Sequence, residues 1–356
     1  MKITKPTLIV DKNKALKNIR RILGKIERSP GRIRFRPHFK THQSAIIGGW
    51  FRDLDVTAIT VSSVDMAYYF AQNGWKDITV AVLVNPLQIE AVNELAGMLD
   101  MHLNLLVESP DMVILLNKKL KHKVTLWIKI DTGYHRTGIE YDRKEKILGL
   151  AKEIKGSQKC LFKGLLTHSG HSYHARSTAE LKQIYHQTVT RMNEIGDYLK
   201  AKGFPGVEIS IGDTPTCSVV DTFYGVDEVR CGNFVFYDVM QLFLGSCREE
   251  DIAAAVACPV IGIYPQRSEV VVYGGAVHLS KESVFDKNNR KIYGLVSVLD
   301  NSIDGWGPVI KNTYVSSLSQ EHGIIKTTRE WSEQVNTGDI VMILPVHSCL
   351  AANLLV

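Results

Sequence analysis

The 356-residue sequence lacks the features that would place it in a membrane or on a nucleic acid. Its longest apolar run, IAAAVACPVIGIY (252–264), is too short to span a bilayer and contains Pro259. It has no block of five or more like charges, and its formal net charge of +6 is modest for this length. We therefore expect neither a membrane nor a nucleic acid as a partner, and the slight positive charge weakly favours a small anionic ligand.

Cysteine usage and the first residues indicate the compartment. The six cysteines are scattered without framework spacing, which is typical of a reducing environment. The first residues, MKITKPTLIVDKNKAL, show no long apolar region followed by a pair of small residues, so we expect no signal peptide. Together these absences predict a soluble protein of the cytoplasm.

What is present is the composition and the patterning of a globular protein. Hydrophobic residues make up 45% of the chain and charged residues 22%, and the length suits about two domains. Strand-like apolar runs alternate with amphipathic segments, of which the first repeats Leu16, Ile19, Leu23 and Ile26 at helical spacing. Eight or nine such strand–helix pairs are typical of a (β/α)8 barrel, whereas a doubly wound sheet usually needs fewer strands.

From about residue 245 the pattern changes to strand-like runs joined by turns, without long helices. The sequence therefore predicts an α/β protein with two domains. A (β/α)8 barrel would occupy residues 7–244, and a β-rich second domain would combine residues 1–6 with residues 245–356.

Residues capable of chemistry follow several of the predicted barrel strands, and in a barrel the active site lies where the strands end. They are Lys40 after RIRFRPHF, Arg136 after TLWIKID, His168 and Tyr173 after GLLT, Gly212, Asp213 and Thr214 after VEIS, and Gly232 and Asn233 near the last strand. Glycine-containing turns expose backbone N–H groups that can bind a phosphate. The stretch GDTPT is not a Walker loop, so by itself it is weak evidence for a phosphate site.

Lys40 lies in the unusual stretch PHFKTH (37–42), between two histidines. Most lysines are solvated surface charges. Pro37, however, holds Arg36 in an extended conformation, and the segment leaves a predicted buried strand. A lysine in such a place can lose its proton through burial and nearby cations and then form a Schiff base. From spacing alone, a surface charge and a covalent role both stay open.

His347 and Cys349 are two residues apart in PVHSC (345–349). On a β-strand, side chains at i and i+2 lie on one face, so this pair could bind one metal ion, and an imidazole with a thiolate suits zinc. Two protein ligands would leave coordination positions open for water or substrate. The alternative is that Cys349 is a small buried hydrophobic residue and His347 a hydrogen-bonded polar one.

Several motifs resemble, in order, those of one enzyme family. RPHFKTH resembles the lysine motif of the fold-type III pyridoxal-phosphate enzymes related to D-serine dehydratase and D-threonine aldolase. Further blocks similar to that family are KIDTGYHRTGIE, THSGHSY, IGDTPT, EVRCGNFVFYD, EHG and PVHSCLAANL. The resemblance covers the chain from about residue 5 onward. It implies a barrel of the alanine-racemase type and a head-to-tail homodimer.

The resemblance also implies a role for each matching residue. Lys40 would bind pyridoxal 5'-phosphate as a Schiff base and act as the catalytic base, with Arg136 near the cofactor's phenolic oxygen. The residues expected at the cofactor or its phosphate are Tyr173, Thr214, Gly232 and Asn233, and the residues expected at the metal are His347 and Cys349. Asp213 departs from the family pattern, in which a small neutral residue such as serine is expected at this position. Because a carboxylate beside a phosphate is repulsive, we expect either that its side chain is directed away or that the phosphate-binding turn lies one residue off.

The implied reaction is the zinc-assisted dehydration of D-serine or D-threonine to a 2-keto acid and ammonia. The alternative is aldol cleavage to glycine and an aldehyde, as in D-threonine aldolase. We favour dehydration because relatives that cleave tend to have an aspartate in place of the soft ligand Cys349. An amino-acid racemase and a non-catalytic cofactor-binding protein stay as further alternatives. The substrate side chain, which could also be that of 3-hydroxyaspartate, is left open.

Overall fold

The computed structural model describes residues 3–300 and 305–355. Within these ranges the strands, in chain order, are β1 (Thr7–Val10), β2 (Arg34–Phe35), β3 (Ala58–Val61), β4 (Asp77–Leu83), β5 (His102–Val107), β6 (Val124–Asp131), β7 (Ile139–Glu140), β8 (Cys160–Thr167), β9 (Glu208–Ile211), β10 (Glu228–Val229), β11 (Ala254–Tyr264), β12 (Glu269–Tyr273), β13 (Val284–Phe285), β14 (Lys291–Ile292), β15 (Gly294–Asp300), β16 (Gly305–Trp306), β17 (Tyr314–Leu318), β18 (His322–Lys326) and β19 (Ile340–Pro345).

The α-helices of the same ranges are α1 (Lys12–Glu27), α2 (Ala45–Arg52), α3 (Val64–Gln72), α4 (Ile89–Ala96), α5 (Pro110–Lys119), α6 (Lys144–Gly156), α7 (Thr178–Ala201), α8 (Thr214–Val219), α9 (Val239–Phe243), α10 (Ala276–Leu279), α11 (Arg329–Ser332) and α12 (Ser348–Leu355). Short polar side chains begin several of them. Ser44, Ser63, Ser109 and Ser177 each accept a hydrogen bond from an N–H group in the first turn of α2, α3, α5 and α7. These caps satisfy N–H groups that have no partner inside the helix.

Eight parallel strands form the predicted barrel. They pair in the order β2, β10, β9, β8, β6, β5, β4 and β3. The ring closes where His38, just beyond β2, forms a parallel bridge with Thr60 of β3, and the Thr60 N–H donates to the Pro37 carbonyl. Each strand is followed by a helix, as the alternating pattern predicts. The predicted α/β barrel is therefore confirmed.

The second sheet is antiparallel. Strands β11, β12, β18, β17, β15 and β19 pair in this order, and β19 pairs again with β11, while β1 and β16 extend the sheet along β11 and β15. Its core is aliphatic and includes Val256, Val272, Val296 and Ile343. The predicted β-rich region after residue 245 is thus confirmed.

The chain forms two compact units. One consists of Ile22–Lys40 and Ser44–Gly232, and the other of Met1–Arg21, Thr41–Gln43 and Asn233–Val356. The domain boundaries expected from the sequence, 7–244 and 1–6 with 245–356, stay a prediction. Among the helices of the described residues, none combines the length and the apolar character needed to cross a membrane.

Candidate active-site residues

Lys40 lies at the end of the barrel where the strands terminate. It belongs to a short 3-10 turn, Phe39–Thr41, that follows β2. Phe39 is fully buried, and its ring packs at about 5 Å from the rings of Phe51, Phe70 and Trp75. This aromatic cluster fixes the backbone of the turn, while Lys40 itself is exposed. The placement of Lys40 at a strand end therefore follows the prediction.

His168 directly follows β8 at the same end of the barrel, and its imidazole ring is uncharged. Its Nδ1 lies 2.8 Å from the Gly212 carbonyl oxygen. Burial lowers the pKa of His168 to about 3, and the charges of Lys40 and Arg136 act in the same direction. Because a carbonyl only accepts, the neutral ring must donate from Nδ1, which leaves Nε2 as an acceptor. The rim thus places an uncharged imidazole within electrostatic range of the predicted residues Lys40 and Arg136.

Arg136 lies on the loop after β6, and this loop is held by a carboxylate. The Asp131 Oδ1 accepts hydrogen bonds from the N–H groups of Gly133, Tyr134 and His135 at 2.8, 2.9 and 3.1 Å. The exposed Arg136 guanidinium stands over the ring of Tyr134 at 5.1 Å. The Asp131 carboxylate therefore holds the backbone of the loop in place, and the loop carries the Arg136 cation at the end of β6.

Lys129 is a site residue that the sequence reasoning missed. It is buried in β6 between Ile128 and Ile130. Burial, together with the charges of Arg230 and Arg136, lowers the pKa of Lys129 to about 7. The sequence feature that could have revealed it is a lysine placed between two isoleucines in the otherwise mostly apolar strand VTLWIKID.

Asp213 and Thr214 begin α8 after β9. The Asp213 carboxylate accepts from the Thr216 N–H at 2.9 Å, the Thr216 hydroxyl at 2.8 Å and the Ser172 hydroxyl at 2.8 Å. These bonds explain why a carboxylate occupies this position. The Thr214 Oγ1 is buried without a hydrogen-bond partner among the described residues. This hydroxyl is the group in the turn that is available for a ligand.

Two further contacts position this turn. The Ser172–Asp213 bond joins the start of α8 to the 3-10 turn Gly170–His174, which carries the predicted residue Tyr173. A Cβ atom at Gly212 would lie 2.7 Å from the backbone of Arg230, so only glycine allows this close approach. The structure therefore brings together the segments of Tyr173 and Thr214.

Gly232 and Asn233 follow β10. Gly232 is buried at the end of the barrel unit, and Asn233 begins the next segment of the second unit. The side-chain nitrogen of Asn233 donates to Asp238 Oδ2 at 2.7 Å, Ser348 Oγ at 3.0 Å and Cys349 Sγ at 3.4 Å. The phosphate role expected of Asn233 stays a prediction. Because the side-chain nitrogen has these partners and an amide oxygen only accepts, the backbone N–H of Asn233 is the group that would bind the phosphate.

The pair His347 and Cys349 does not lie on a strand, and this part of the prediction was wrong. Strand β19 ends at Pro345, and α12 begins at Ser348, whose N–H donates to the buried Asp238 carboxylate at 3.0 Å. His347 therefore precedes the helix, and Cys349 lies in its first turn. The carboxylate that accepts from Ser348 favours the start of a helix over continuation of the strand.

The two side chains nevertheless converge. Although burial favours the neutral ring, hydrogen bonds with Cys349 and Glu282 raise the pKa of His347 to about 11. The Nδ1 of His347 lies 2.7 Å from Glu282 Oε2. No group of three or more histidine, cysteine, aspartate or glutamate side chains in residues 3–300 and 305–355 is arranged to hold a metal ion. The pair His347 and Cys349 could therefore supply two ligands to a metal ion, one nitrogen and one sulfur.

Comparison with known proteins identifies both parts of the chain. Residues 10–239 match the family described as "Alanine racemase, N-terminal domain", and residues 253–355 match the "Putative serine dehydratase domain". The D-serine dehydratase of Dictyostelium discoideum is 29% identical over 344 residues, which are 90% of this chain and 84% of that protein. The 3-hydroxy-D-aspartate aldolase of Paracoccus denitrificans is 25% identical over 240 residues, 66% of this chain and 61% of that protein.

The D-threo-3-hydroxyaspartate dehydratase of Delftia sp. (strain HT23) is similar in both sequence and structure. It is 28% identical over 353 residues, 97% of this chain and 90% of that protein. Its solved structure has a TM-score of 0.90 at 26% identity and covers 99% of this chain and 93% of its own. A mutant of a D-threo-3-hydroxyaspartate dehydratase solved in a metal-free form also has a TM-score of 0.90, at 26% identity and with the same two coverages.

Proposed function

We propose a function for this chain from its family: it belongs to the family described as "Alanine racemase, N-terminal domain", which matches residues 10–239. The enzyme family recognised from the sequence motifs is thereby confirmed. We propose that the chain is a pyridoxal-phosphate-dependent lyase that dehydrates D-β-hydroxy amino acids, D-serine or D-threonine, to a 2-keto acid and ammonia. The D-serine dehydratase and the D-threo-3-hydroxyaspartate dehydratase among its relatives support this reaction.

The barrel rim fits the cofactor. Thr214 offers a buried hydroxyl that has no other partner among the described residues, as a phosphate-binding group requires. Lys40 would bind the cofactor's aldehyde carbon, Arg136 its phenolic oxygen, and Tyr173, Thr214, Gly232 and Asn233 its phosphate end. When bound, pyridoxal 5'-phosphate supplies an electron sink that labilises the bonds of the substrate's α-carbon.

The observation that carries the reaction type is the donor set at the start of α12. A thiolate with an imidazole is a soft pair that suits zinc, and its two donors leave positions for substrate. His347 and Cys349 would hold this ion, and a zinc ion there would supply a Lewis acid for the substrate's β-hydroxyl. A racemase would need no such pair.

The chain's own residues have two tasks in this reaction. The Nζ of Lys40 would take the proton from the substrate's α-carbon. Arg136, a cation, and Lys129, a partly protonated amine, lie within electrostatic range of His168, so the rim favours an anionic cofactor and a substrate carboxylate. The neutral His168 adds a hydrogen-bond acceptor, Nε2, and leaves the positive potential of the rim unchanged.

Aldol cleavage to glycine and an aldehyde is the second candidate. It is favoured by the match to a 3-hydroxy-D-aspartate aldolase. Cys349 supports dehydration instead, because a soft ligand suits zinc rather than magnesium or manganese.

Compartment and assembly are further proposals. Free cysteines, of which Cys247 is partly exposed, are consistent with the cytoplasm; cell fractionation tests this. A head-to-tail homodimer is proposed from the family resemblance. Sedimentation as a monomer would contradict it. Nucleic acids and membranes are not expected as partners.

The test is a product assay with purified protein, pyridoxal phosphate and either D-serine or D-threonine. We expect keto acid and ammonia, lost on chelation of the metal, in Cys349→Ser and in Lys40→Ala. The matched control is Lys76→Ala, which removes an exposed lysine at the opposite end of the barrel, where it donates to the Leu99 carbonyl at 2.9 Å. Glycine with an aldehyde would replace our proposal by aldol cleavage. Interconversion of L- and D-amino acids that resists chelation would indicate a racemase, and cofactor binding without turnover would indicate a binding protein.

A further inference from the structure

The side chains of His347 and Cys349 are held in place by a shell of polar groups. These groups all lie in one unit of the chain: Thr41, Asn233, Asp238, Glu282 and Ser348. A role for them rests on the proposed function, because they surround the proposed metal site.

Glu282 fixes the imidazole. Its Oε2 lies 2.7 Å from Nδ1 of His347, and the two residues are 65 positions apart in the chain. At this distance the carboxylate accepts a hydrogen bond from Nδ1–H, so Nε2 becomes the ligand atom when a metal displaces its proton. Carboxylate partners of this kind orient metal-binding histidines and increase their basicity.

Thr41 and Asn233 contact the sulfur. The Cys349 Sγ lies 3.3 Å from the hydroxyl of Thr41, which is fully buried. The side-chain N–H of Asn233 donates to the same sulfur at 3.4 Å. When a metal replaces the thiol proton, the hydroxyl of Thr41 can turn and donate to the thiolate. Two donors then support the negative charge of a buried sulfur.

Asp238 holds this arrangement together. Its buried Oδ2 accepts from the Asn233 side chain, from the Ser348 N–H and from the Ser348 hydroxyl at 2.7, 3.0 and 3.3 Å. One carboxylate thus orders both the first turn of α12 and the amide that reaches Cys349. The sulfur position is set before any metal binds.

We propose that Glu282, Thr41 and Asn233 are positioning residues of a metal site at His347 and Cys349, with Glu282 orienting the imidazole and the other two stabilising the thiolate. They bind no substrate. They raise the affinity for a divalent metal by holding both ligands in their coordinating orientation and state.

Titration with Co2+ tests the proposal, with Zn2+ competition as a second measure, because a cobalt–thiolate bond absorbs light in a charge-transfer band. Glu282→Gln should weaken Co2+ binding about 10- to 100-fold, as loss of such partners does elsewhere. Thr41→Val should weaken binding less and move the charge-transfer band to longer wavelength, because a sulfur without its hydrogen bond gives up electron density more easily. Circular dichroism and thermal unfolding check that the variants fold.

The matched control is Glu321→Gln. Glu321 is the carboxylate of another histidine pair in the same unit, with its Oε2 at 3.8 Å from Nε2 of His278, and its loss should leave Co2+ affinity unchanged. Wild-type affinity in Glu282→Gln, or an unmoved band in Thr41→Val, would overturn the proposal. Loss of binding in Glu282→Gln as complete as in Cys349→Ser would make Glu282 a ligand and overturn it too. If the wild type binds no better than Cys349→Ser, the metal site of the proposed function fails instead.

Discussion

Burial decides the charge of two side chains at the barrel rim. Lys129 is buried and His168 is partly buried, and the pKa of each is lowered, to about 7 and about 3. Desolvation disfavours the charged form of a base, and neighbouring cations add to this effect. His168 is therefore neutral at physiological pH, whereas Lys129 is near its midpoint.

Lys129→Met should make the free protein more stable at neutral pH and change how stability depends on pH. The unfolded chain keeps the Lys129 proton up to about pH 10.5, and the folded chain only up to about pH 7. Lys129 therefore destabilises the fold fully below pH 7, and this cost is relieved as the pH rises toward 10.5. At about 1.4 kcal/mol per pKa unit, the effect is roughly 3–5 kcal/mol.

Urea unfolding of the cofactor-free protein across this pH range measures the effect. The difference between wild type and Lys129→Met isolates the residue from all other titrations. Lys146→Met, at an exposed lysine of α6, should show no such pH-dependent difference. A wild-type–variant difference that stays constant from pH 7 to pH 10 would contradict the assignment.

Helix α8 is short and is held at both ends. Asp213 caps its first turn. At its other end the buried Lys25 Nζ donates to the carbonyl oxygens of Cys217 and Ser218 at 3.1 and 2.5 Å. Since an isolated helix of six residues has little stability of its own, these anchors keep the Thr214 hydroxyl where a phosphate would bind.

Lys25→Met should weaken the binding of pyridoxal phosphate about tenfold. Loss of hydrogen bonds from a charged donor frees the end of α8, at a cost of about 1.5–3 kcal/mol. Pyridoxal, which has no phosphate, should bind the variant and the wild type equally. Equilibrium dialysis with both compounds provides the comparison.

A matched control is Lys155→Met, which removes an exposed lysine whose Nζ donates to the Gly203 carbonyl at 3.4 Å. It should bind both compounds as the wild type does. An equal loss of affinity for pyridoxal and its phosphate in Lys25→Met would show that Lys25 acts on the fold in general and not on the phosphate end.

An ion network ties the barrel together where its strands begin. The buried Arg36 guanidinium donates to Glu228 at 2.6 Å and to both oxygens of Asp77 at 2.6 and 2.9 Å. Arg34 reaches Glu228 as well, at 3.3 Å. These bonds join β2, β4 and β10, which are not all neighbours in the ring. Closure of the barrel thus depends on charges that are buried and mutually compensated.

Glu228→Gln should destabilise the protein by about 3–5 kcal/mol, because it leaves Arg36 buried with an incomplete set of partners. Burial alone would raise the pKa of Glu228, but Arg36 and its other donors lower it below the ordinary 4.5. Its stabilising effect is therefore complete above the unfolded pKa and is lost as the pH falls through the lower folded pKa. The variant should lose less stability on acidification than the wild type.

Urea unfolding at neutral and acidic pH provides the measurement. Glu90→Gln makes the same change in an exposed pair with Lys121 at 4.0 Å, and it should alter stability by less than about 1 kcal/mol. Equal effects of the two substitutions would show that the buried network does not stabilise the barrel.

The sequence by itself determined the fold class, the family and the positions of Lys40 and Thr214. Alternating strand and helix patterns are local, and so are the turns that follow strands. Because every barrel strand ends at the same rim, a residue directly after a strand has a predictable place. The order of the family motifs along the chain also gave the proposed role of Lys40, and this inference required no interatomic distances.

Only the tertiary structure decided the surroundings of these residues. The contacts of Cys349 with Thr41 and of His347 with Glu282 join positions 308 and 65 residues apart, and no local pattern encodes such pairs. The same holds for the helix that begins at Ser348, where Asp238 supplies the cap from 110 residues away and makes the strand expectation wrong. Burial of Lys129 likewise arises only when β6 is enclosed by its neighbours. Local propensity sets the elements, but partners and protonation depend on what packing brings together.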